Sequence, residues 1–600
     1  MNLHIKNIAL AILALVALSA CQVGFVPEGV KEQKPLQNFQ EVAWLRDAMY
    51  TSVRVAESPA NLFLGDAQAD LYHLTASDNG ANSPFFEWNR SQLIDNDRIA
   101  GYFGAFATII KDANYFIMRI DEFKADTAKY NKLKPEELDK IKEYVAEART
   151  LRALANYRLM CRFSKRYDAN ANLPGIILVK EYDPLLQKTE KKRATQKEVY
   201  DYCISELEEA AKDLPDRDEV ELKDANKIPC YIHRDYAFAV MARIYLEMHE
   251  YDKAIEAVDE FIDKPEYKLS DPTMDSFKKI WVDESSSEIM VKTFANKQVG
   301  GIRGILHGLS FISGNEYDEK KGKVVTKLKE YVMPTWYPNQ YLLDLYGPKD
   351  YVTAAGAEKD FRMAINKNHV TKVGSWFEEP WGISPNKGRD LSSNSDETKE
   401  VLVIYPKEKK NAAADPQTYT DIYLTMRFVS KFRGNPALNR NEAKNQFSYA
   451  HTTHLFDIAE AYLIKAEAQA WKGDVAGAKK TIEKLRVARG LTDQLINADT
   501  QEAMKQIVMD ERTREMVGMG TRMTDLKRWN MPMSRKGKGI QKLLLSDPYG
   551  PREIYAHDKK AFMELEVSPD NPEFIWELPV QDRNTLPDLE ENWPDPDKKK

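Results

Sequence analysis

Apolar residues recur at intervals of three and four along several long stretches of the chain, which predicts amphipathic helices. In residues 41–56, the side chains of Val42, Leu45, Ala48 and Met49 follow this spacing. The same pattern runs through residues 97–120, 135–163 and 196–215. The sequence pattern therefore favours a mainly α-helical protein.

Two stretches far apart in the chain share one helix–turn–helix pattern. Residues 237–262 and residues 459–486 each contain two short amphipathic segments around a polar turn. In an alignment of these stretches the matching apolar pairs are Ala242 and Ala466, Ala254 and Ala478, Val258 and Ile482, and Phe261 and Leu485. Small residues at close helix crossings, with larger ones around them, resemble tetratricopeptide-type helix pairs. Because each pair leaves an apolar face uncovered, we expect several pairs to stack into a bundle.

The remaining parts of the folded chain are poorly periodic and contain many Gly, Pro, Asn and aromatic residues. They cover about 57–96, 270–450 and 530–593. A structureless insertion of that size is implausible in a compact protein, so we expect a lobe of loops, short helices and short strands. The candidate strands are SSEIMVKTF at 286–294 and EVLVIYP at 400–406. The predicted architecture is a tetratricopeptide-like helical bundle, with repeats at about 97–263 and 455–529, joined to this loop-rich lobe.

The first residues have the features of an exported lipoprotein. A positive charge at Lys6 precedes an apolar run over residues 8–18, which is too short to span a bilayer as a permanent helix. The tetrapeptide LSAC that ends at Cys21 resembles a bacterial lipobox. This resemblance implies that residues 1–20 are removed, that Cys21 carries lipid, and that residues 21–38 form a tether. A plain signal peptide followed by a chance cysteine is the alternative.

Composition argues against nucleic acid as a partner. The chain has 86 Lys and Arg against 93 Asp and Glu, with a formal net charge of −7 at pH 7, so it lacks a basic footprint. Hydrophobic residues make up 43% of the sequence, enough for a large core in a single domain over residues 39–600. We expect Cys161, Cys203 and Cys230 to be buried small side chains, although one pair could form a disulfide.

Recognisable catalytic motifs are missing from the sequence. It contains no P-loop, no HExxH zinc motif and no GxSxG nucleophile motif, and we predict neither a cofactor nor a metal. His451 and His454 lie three residues apart, but without a third ligand nearby, so exposed or helix-capping roles are favoured. A glycosidase needs two carboxylates facing each other, and nothing in the sequence marks such a pair. We therefore predict that the protein is not an enzyme.

Loops rich in aromatic and polar side chains are the candidates for ligand binding. Sugar rings pack on aromatic faces, while their hydroxyl groups need amides, carboxylates or guanidinium groups, and loops on a rigid scaffold supply that combination. The candidate residues are Asp78, Asn79, Phe85, Phe86, Trp88, Trp336, Tyr337, Trp376, Trp381 and Arg389. Each aromatic residue among them could instead pack in the interior. Trp529 and Arg152 are expected to be structural, with Arg152 paired to a carboxylate inside the bundle.

Several segments follow one another along the chain in a recognisable order. They are the lipobox at Cys21, Ala113-Asn114, Leu151-Arg152-Ala153, KEVYDYCISELEEAAKDLP at 197–215, Ala466-Glu467-Ala468, DERTREMVGMGTRMTDLKRW at 510–529, and WELPVQDRNTLPDLEENW at 576–593. Together they resemble the SusD/RagB family of nutrient-binding proteins from Bacteroidetes-type bacteria, and the resemblance implies a bundle of about four tetratricopeptide-like helix pairs. The segment at 576–593 resembles a terminal strand with a Pro-rich exit. It departs from the family pattern at Leu578-Pro579 and Leu586-Pro587, where Ile-Pro and Asn-Pro are usual.

The resemblance implies a non-catalytic protein that binds a nutrient, in particular a glycan or oligosaccharide. It also implies a lipid anchor in the outer membrane, with the protein facing outside, and delivery to a partner, a SusC-like TonB-dependent transporter. The acidic cluster that often follows the lipidated cysteine of surface-exposed members is absent, because the first acidic residue after Cys21 is Glu28. A surface glycoside hydrolase, a peptide-binding member of the same family and a helical scaffold that binds only protein are the alternatives.

Overall fold

The computed structural model describes most of the chain from Lys34 onward. The described residues are 34–74, 82–184, 187–222, 227–296, 302–303, 309–318, 323–332, 336–346, 360–363, 377–378, 424–425, 428–429, 431–432, 435–438, 450–491, 496–539, 544–545, 564–586 and 588–593. The predicted lipobox, most of the predicted tether and the predicted strand at 400–406 lie outside these residues.

Long helices dominate the described residues. Those of seven or more residues are α1 (Phe39–Ala56), α2 (Asp97–Ala125), α3 (Pro135–Phe163), α4 (Gln196–Asp213), α5 (Arg234–Glu247), α6 (Tyr251–Asp259), α7 (Met274–Trp281), α8 (Ile458–Lys472), α9 (Val475–Ala488), α10 (Gln501–Glu515) and α11 (Arg522–Arg528). Shorter helices span Pro59–Leu62, Leu64–Gln68, Ser83–Glu87, Arg90–Leu93, Thr127–Tyr130, Gln340–Asp344 and Val580–Thr585, and 3-10 turns span Arg217–Glu219, Phe361–Met363, Pro436–Leu438 and Pro572–Phe574. The helices predicted from apolar spacing are confirmed to within a few residues. None of the described helices is long and apolar enough to cross a membrane.

Local sequence signals explain where several helices begin and end. Pro135 occupies the first turn of α3, where its missing N–H costs no helical hydrogen bond. Thr195 precedes α4, and its hydroxyl accepts from the backbone N–H of Glu198 at 3.2 Å. The Glu198 carboxylate accepts in return from the backbone N–H of Thr195 at 2.7 Å, which completes a capping box. Gly473 ends α8 at a φ of 89°, a left-handed conformation that glycine adopts easily.

Both predicted repeat units form helix pairs, and the pairs lie against each other. Helix α5 packs on α6, α8 packs on α9, and α6 contacts α8. All eight side chains aligned between the two repeats are fully buried at the helix crossings. Helices α1 to α4 extend the stack beyond α5, and α10 packs against both α8 and α9. The predicted tetratricopeptide-like helical bundle is therefore confirmed.

Strands in the described residues are short and pair in twos. They are β1 (Tyr72–Leu74), β2 (Ile289–Lys292), β3 (Ile302–Arg303), β4 (Leu309–Asp318), β5 (Lys323–Val332), β6 (Trp336–Pro338), β7 (Phe377–Glu378), β8 (Leu424–Thr425), β9 (Phe428–Val429), β10 (Ala450–His451), β11 (His454–Asp457), β12 (Met533–Ser534), β13 (Leu544–Leu545) and β14 (Glu566–Val567). The antiparallel pairs are β1 with β6, β2 with β11, β3 with β10, β4 with β5, β7 with β9, β8 with β13 and β12 with β14. The predicted strand at 286–294 is confirmed as β2.

The segment after Phe574 is not the strand that its sequence suggested. Its backbone N–H at Trp576 donates to the carbonyl of Arg162 at 2.8 Å instead of to a neighbouring strand. The carboxylate of Glu577 accepts from the backbone N–H groups of Leu578 and Asn592 at 2.7 and 3.0 Å. These contacts satisfy the local backbone without a sheet, and the chain then enters the helix Val580–Thr585.

Two side chains that the sequence assigned to the interior are buried and paired. Arg152 in α3 donates from Nε to the Glu206 carboxylate in α4 at 3.0 Å, which confirms the predicted ion pair. Trp529 donates from its indole N–H to the Glu467 carboxylate at 2.8 Å. These contacts join elements that are distant in sequence, so both residues stabilise the bundle.

The three cysteines after the predicted lipobox are Cys161, Cys203 and Cys230, and all are buried and outside any disulfide. Burial raises the pKa of the Cys161 and Cys203 thiols above its ordinary value. A thiol with a raised pKa forms little thiolate and is a poor nucleophile. The prediction that these residues act as small buried side chains is confirmed, and none of them forms a disulfide.

Candidate ligand-binding site

Three sequence stretches that carry the predicted ligand residues meet at neighbouring strands. Strand β1, which precedes the stretch from Asp78 to Trp88, pairs with β6, where Leu74 lies opposite Trp336. Strand β6 lies beside β9, and β9 pairs with β7. Strand β7 begins one residue after Trp376 in the sequence. Residues separated by about 300 positions are thus anchored at one place in the loop-rich lobe.

Four of the candidate aromatic rings are buried at this place. Phe85, Phe86, Trp88 and Trp336 are between 0% and 7% exposed. The ring of Trp336 packs edge to face against Phe63 at 5.5 Å and against Phe86 at 6.1 Å between centroids. These rings leave no face for a sugar in this conformation. The expectation that they stack on ligand is therefore replaced by a packing role, because their large apolar area is more stable when it is buried.

The contacts of Phe85 and Trp88 also belong to the interior. Phe85 packs against Trp576 at 6.1 Å between ring centroids, and Trp88 packs against Phe574 at 6.0 Å. The indole N–H of Trp88 donates to the backbone carbonyl of Gln68 at 2.9 Å. The contacts hold the start of the candidate loop to the C-terminal segment.

The other candidates keep their status as predictions. Asp78, Asn79, Trp376, Trp381 and Arg389 lie outside the described residues, as does the side chain of Tyr337. The strands to which their stretches connect are described, so the structure indicates where these stretches start and end.

A buried ion pair attaches the β1–β6 strand pair to the helical bundle. The Asp70 carboxylate, two residues before β1, accepts from Nε and Nη2 of Arg522 at 2.8 and 3.0 Å and from Lys538. Burial alone would raise the pKa of Asp70, but the charges of Arg522 and Lys538 lower the pKa overall. Asn339, directly after β6, donates from its side-chain amide to the backbone carbonyl of Asp70 at 2.7 Å. The β1–β6 pair is thereby attached to α11.

Arg535 and His73 also hold the chain around the β1–β6 pair in place. The Arg535 guanidinium donates to the carbonyls of Ala69 and Phe86 at 3.0 and 2.6 Å and lies 4.0 Å from the Phe86 ring centroid. Burial lowers the pKa of Arg535 to about 9 and that of His73 to about 4. His73 is therefore neutral at pH 7, with Nε2 3.1 Å from the carbonyl of Gly539. These buried side chains therefore support the neighbouring loops and do not form a reactive site.

The histidine pair that was expected to be exposed or to cap a helix is buried instead. His451 and His454 lie in β10 and β11 and are 1% and 3% exposed. The His454 ring stacks on Trp281 at 4.1 Å between centroids, and its Nδ1 lies 3.0 Å from Oδ2 of Asp457. The histidines are buried because β11 pairs with β2, which lies in the protein interior. Within the described residues, no group of three or more His, Cys, Asp or Glu side chains could hold a metal ion.

Comparison with known proteins agrees with this architecture. The model of the SusD family matches residues 310–594. This match assigns residues 310–594, nearly half of the chain, to the SusD family. No curated protein sequence matches this chain.

Solved structures share the fold over nearly the whole chain. A SusD superfamily protein from Bacteroides thetaiotaomicron has a TM-score of 0.61 at 17% identity, and the match covers 93% of this chain and 100% of that one. A SusD-like carbohydrate binding protein from Bacteroides vulgatus has a TM-score of 0.60 at 14% identity, with 94% and 99% covered. A SusD-like protein from Bacteroides fragilis has a TM-score of 0.59 at 15% identity, with 93% and 97% covered. At these identities the likeness establishes the fold.

Within the region that matches the SusD family, the segment DERTREMVGMGTRMTDLKRW at 510–529 forms a buried network of charges. Arg528 donates from Nε to Glu467 of α8 and from Nη1 to Glu247 of α5, both at 2.7 Å. Arg512 donates from Nε to Asp525 at 2.7 Å, which joins α10 to α11. Sequence reasoning had linked this segment to the family but had not predicted its ion pairs. The high density of Arg and acidic residues at helical spacing was the available signal.

Gly520, between α10 and α11, is expected to be intolerant of a side chain. It has a φ of 73°, and a Cβ there would overlap the backbone carbonyl of Leu62. We predict that Gly520→Ala lowers the free energy of unfolding by about 1–3 kcal/mol from the backbone conformation alone. Urea unfolding followed by circular dichroism measures the change.

Gly101→Ala in α2 is the matched control, because a Cβ there would meet nothing within 4 Å. Alanine favours a helix over glycine by up to about 1 kcal/mol, so this variant should unfold at a higher urea concentration. Equal midpoints for Gly520→Ala and the unsubstituted protein would contradict the predicted close approach.

Proposed function

We propose that this protein binds an oligosaccharide at the loops anchored on β1, β6, β7 and β9, without catalysing a reaction. The observation that carries the proposal is the meeting of three aromatic-rich sequence stretches at these neighbouring strands. A protein with the same fold, the SusD-like protein from Bacteroides vulgatus, is described as carbohydrate binding. The absence of catalytic motifs from the sequence supports a binding role.

In the proposed site, the ligand contacts aromatic and polar side chains from the stretches that adjoin these strands. Trp376 immediately precedes β7, and Trp381 follows the end of β7 by three residues. We propose that both indoles stack on sugar faces and that Arg389 hydrogen-bonds to hydroxyl groups. The buried rings of Phe86 and Trp336 then serve as the support that keeps the strands in place. Preorganisation of this kind reduces the conformational entropy that is lost on binding.

We further propose that the protein acts at the outer membrane, facing outside, with a lipid on Cys21. The bound oligosaccharide would then pass to a SusC-like TonB-dependent transporter. Support comes from the LSAC segment and from the match to the SusD family. The first described residue, Lys34, lies 13 positions after Cys21, so the intervening chain is long enough to act as a tether.

Affinity electrophoresis on gels that contain candidate polysaccharides tests the binding proposal, and calorimetry with the retained glycan then measures affinity. Trp376→Ala and Trp381→Ala should each weaken binding by roughly 2- to 10-fold, since a stacked ring contributes about 0.5–1.5 kcal/mol beyond its area. Trp44→Ala is the matched control, because Trp44 lies in α1 and is 64% exposed. It should leave affinity unchanged.

Three outcomes would count against the proposal. Unchanged affinity in both tryptophan variants, with folding intact, would exclude the loop at 376–381 as the site. If none of the polysaccharides slows the protein in affinity electrophoresis, a peptide ligand or a purely protein-binding role is favoured. Release of shortened sugars from a polysaccharide would favour the hydrolase alternative.

A further inference from the structure

A polar cavity of about 40 Å³ lies inside the helical bundle, away from the candidate loops. Its walls come from α2, α3, α5, β11, α8, α10 and α11. The charged groups that line it are Arg158, Arg162, Arg243, Arg512, Arg528, Glu460 and Asp525. The number of arginines exceeds the number of carboxylates in these walls, so their pairing determines whether the cavity carries net charge.

Four of the five arginines have a carboxylate partner. Arg158 donates from Nε and Nη2 to Glu57, both at 2.8 Å. Arg243 donates from Nε to Glu460 at 2.9 Å. Arg512 and Arg528 are held by Asp525 and by Glu467, respectively, each at 2.7 Å. Their charges are compensated by acidic groups of the protein.

Arg162 differs from the other four. Its side chain is 6% exposed, and among the described residues its guanidinium makes no ion pair. It lies over the Trp576 ring at 4.5 Å from the centroid. Burial lowers the pKa of Arg162, which indicates poor compensation of its charge. Among the described residues, Arg162 is therefore the arginine of this cavity wall that has no direct carboxylate partner.

The acidic group that would be the natural partner of Arg162 is used elsewhere. The Asp66 carboxylate accepts from the backbone N–H groups of Gly520 and Arg522 at 3.0 and 3.2 Å. Burial raises the pKa of Asp66 to about 6, so the carboxylate is still mostly ionised at pH 7, but its hydrogen bonds go to backbone N–H groups and not to Arg162. Asp66 forms no ion pair with Arg162 among the described contacts.

Three guanidinium nitrogens around the cavity have no hydrogen-bond partner within the described structure. They are Nη2 of Arg162, Nη1 of Arg243 and Nη1 of Arg512. All three side chains are at least nine-tenths buried, at 6%, 7% and 4% exposure. An unpaired buried N–H costs about 1–3 kcal/mol, and more when it is charged. A bound group that accepts from these nitrogens would remove that cost.

We propose that this cavity binds one small monovalent anion of the halide class, contacted by Arg162, Arg243 and Arg512. Water could satisfy the free N–H groups, but it would not give the Arg162 guanidinium the direct anionic partner that a buried cation favours. A single halide ion satisfies both the donors and the charge. The volume has room for a few water-sized particles, which admits a halide and excludes a sugar ring. The bound ion joins α3 to α5 and α10.

Crystals of the protein grown with sodium bromide in place of sodium chloride provide the direct test. Data collected at the bromine absorption edge should show an anomalous peak inside the cavity, in contact with the Arg162 guanidinium. An empty cavity, or density without anomalous signal as expected for water, would overturn the proposal. This measurement needs no variant, so it holds even if a substitution in the cavity prevents folding.

Thermal unfolding gives a second test in solution. At equal ionic strength, the protein should melt roughly 1–3 °C higher in sodium chloride than in sodium gluconate, because an ion that binds the folded state stabilises it. Arg162→Met should abolish the difference. Arg193→Met is the control: Arg193 is a partly buried guanidinium outside the cavity, which donates to the carbonyls of Phe163 and Gly175 at 2.9 and 2.8 Å. It should keep the difference, and equal melting of the unsubstituted protein in both salts would overturn the proposal.

Discussion

Replacing Glu511 with alanine should lower the free energy of unfolding by about 3–5 kcal/mol, the usual cost of breaking a buried ion pair. The Glu511 side chain is fully buried in α10. Its carboxylate accepts from Nη1 of Arg362 and Nε of Arg486, both at 2.8 Å, and from Nη2 of Arg514 at 2.7 Å. Burial alone would raise the pKa of Glu511, but these three guanidinium groups hold it well below its ordinary value.

The loss is large because one carboxylate serves three cations from different parts of the chain. Arg362 also donates to Asp360 and Glu515, so it keeps two acceptors in the variant. Among the described residues, Arg486 has no other carboxylate partner, so this side chain loses its acceptor. A buried cation without a partner costs more than the original pair contributed. The contact between α9 and α10 should therefore weaken first.

Urea unfolding of Glu511→Ala and Glu502→Ala tests this expectation on one helix. Glu502 lies in the first turn of α10 and is exposed, so its removal should cost about 0.3–1 kcal/mol through the helix dipole. If the two variants unfold at similar urea concentrations, the buried ion pairs of Glu511 contribute far less to the free energy of unfolding than their geometry suggests.

The sequence predicted the helices well because their signal is local. The repeat pairs could be aligned by residue type alone, since the small side chains at each crossing recur at the same positions in both units. Arg152 was predicted to pair inside the bundle, because a charged residue on an apolar helix face needs a partner. That partner, Glu206, lies one helix away along the chain.

The candidate site could be predicted only in part, because ring burial depends on residues far away in sequence. Trp336 packs against Phe63 and Phe86, about 250 positions earlier, and no local pattern distinguishes this packing from ligand stacking. The same limit applies to His454, which is covered by Trp281. The anion cavity has no local signal at all, since seven separate elements build its walls.

Changing Cys21 to alanine should release the protein from membranes completely. Without the thiol no lipid can be attached to the sulfur, and each buried methylene of a lipid chain contributes roughly 0.8 kcal/mol to membrane binding. Fractionation of cells followed by a carbonate wash, together with labelling by a radioactive fatty acid, measures both attachment and lipidation.

Cys230→Ala is the matched control, because Cys230 is a buried cysteine in the folded domain. This variant should stay in the membrane fraction and keep its label. Unlabelled, soluble protein before any substitution would instead favour the plain signal peptide.

Purified Cys21→Ala protein should bind the same glycan with unchanged affinity, since the proposed loops are anchored to strands that begin at Tyr72, well after the tether. Membrane release with full affinity would separate anchoring from recognition, whereas loss of both would mean that the N-terminal segment takes part in the binding site.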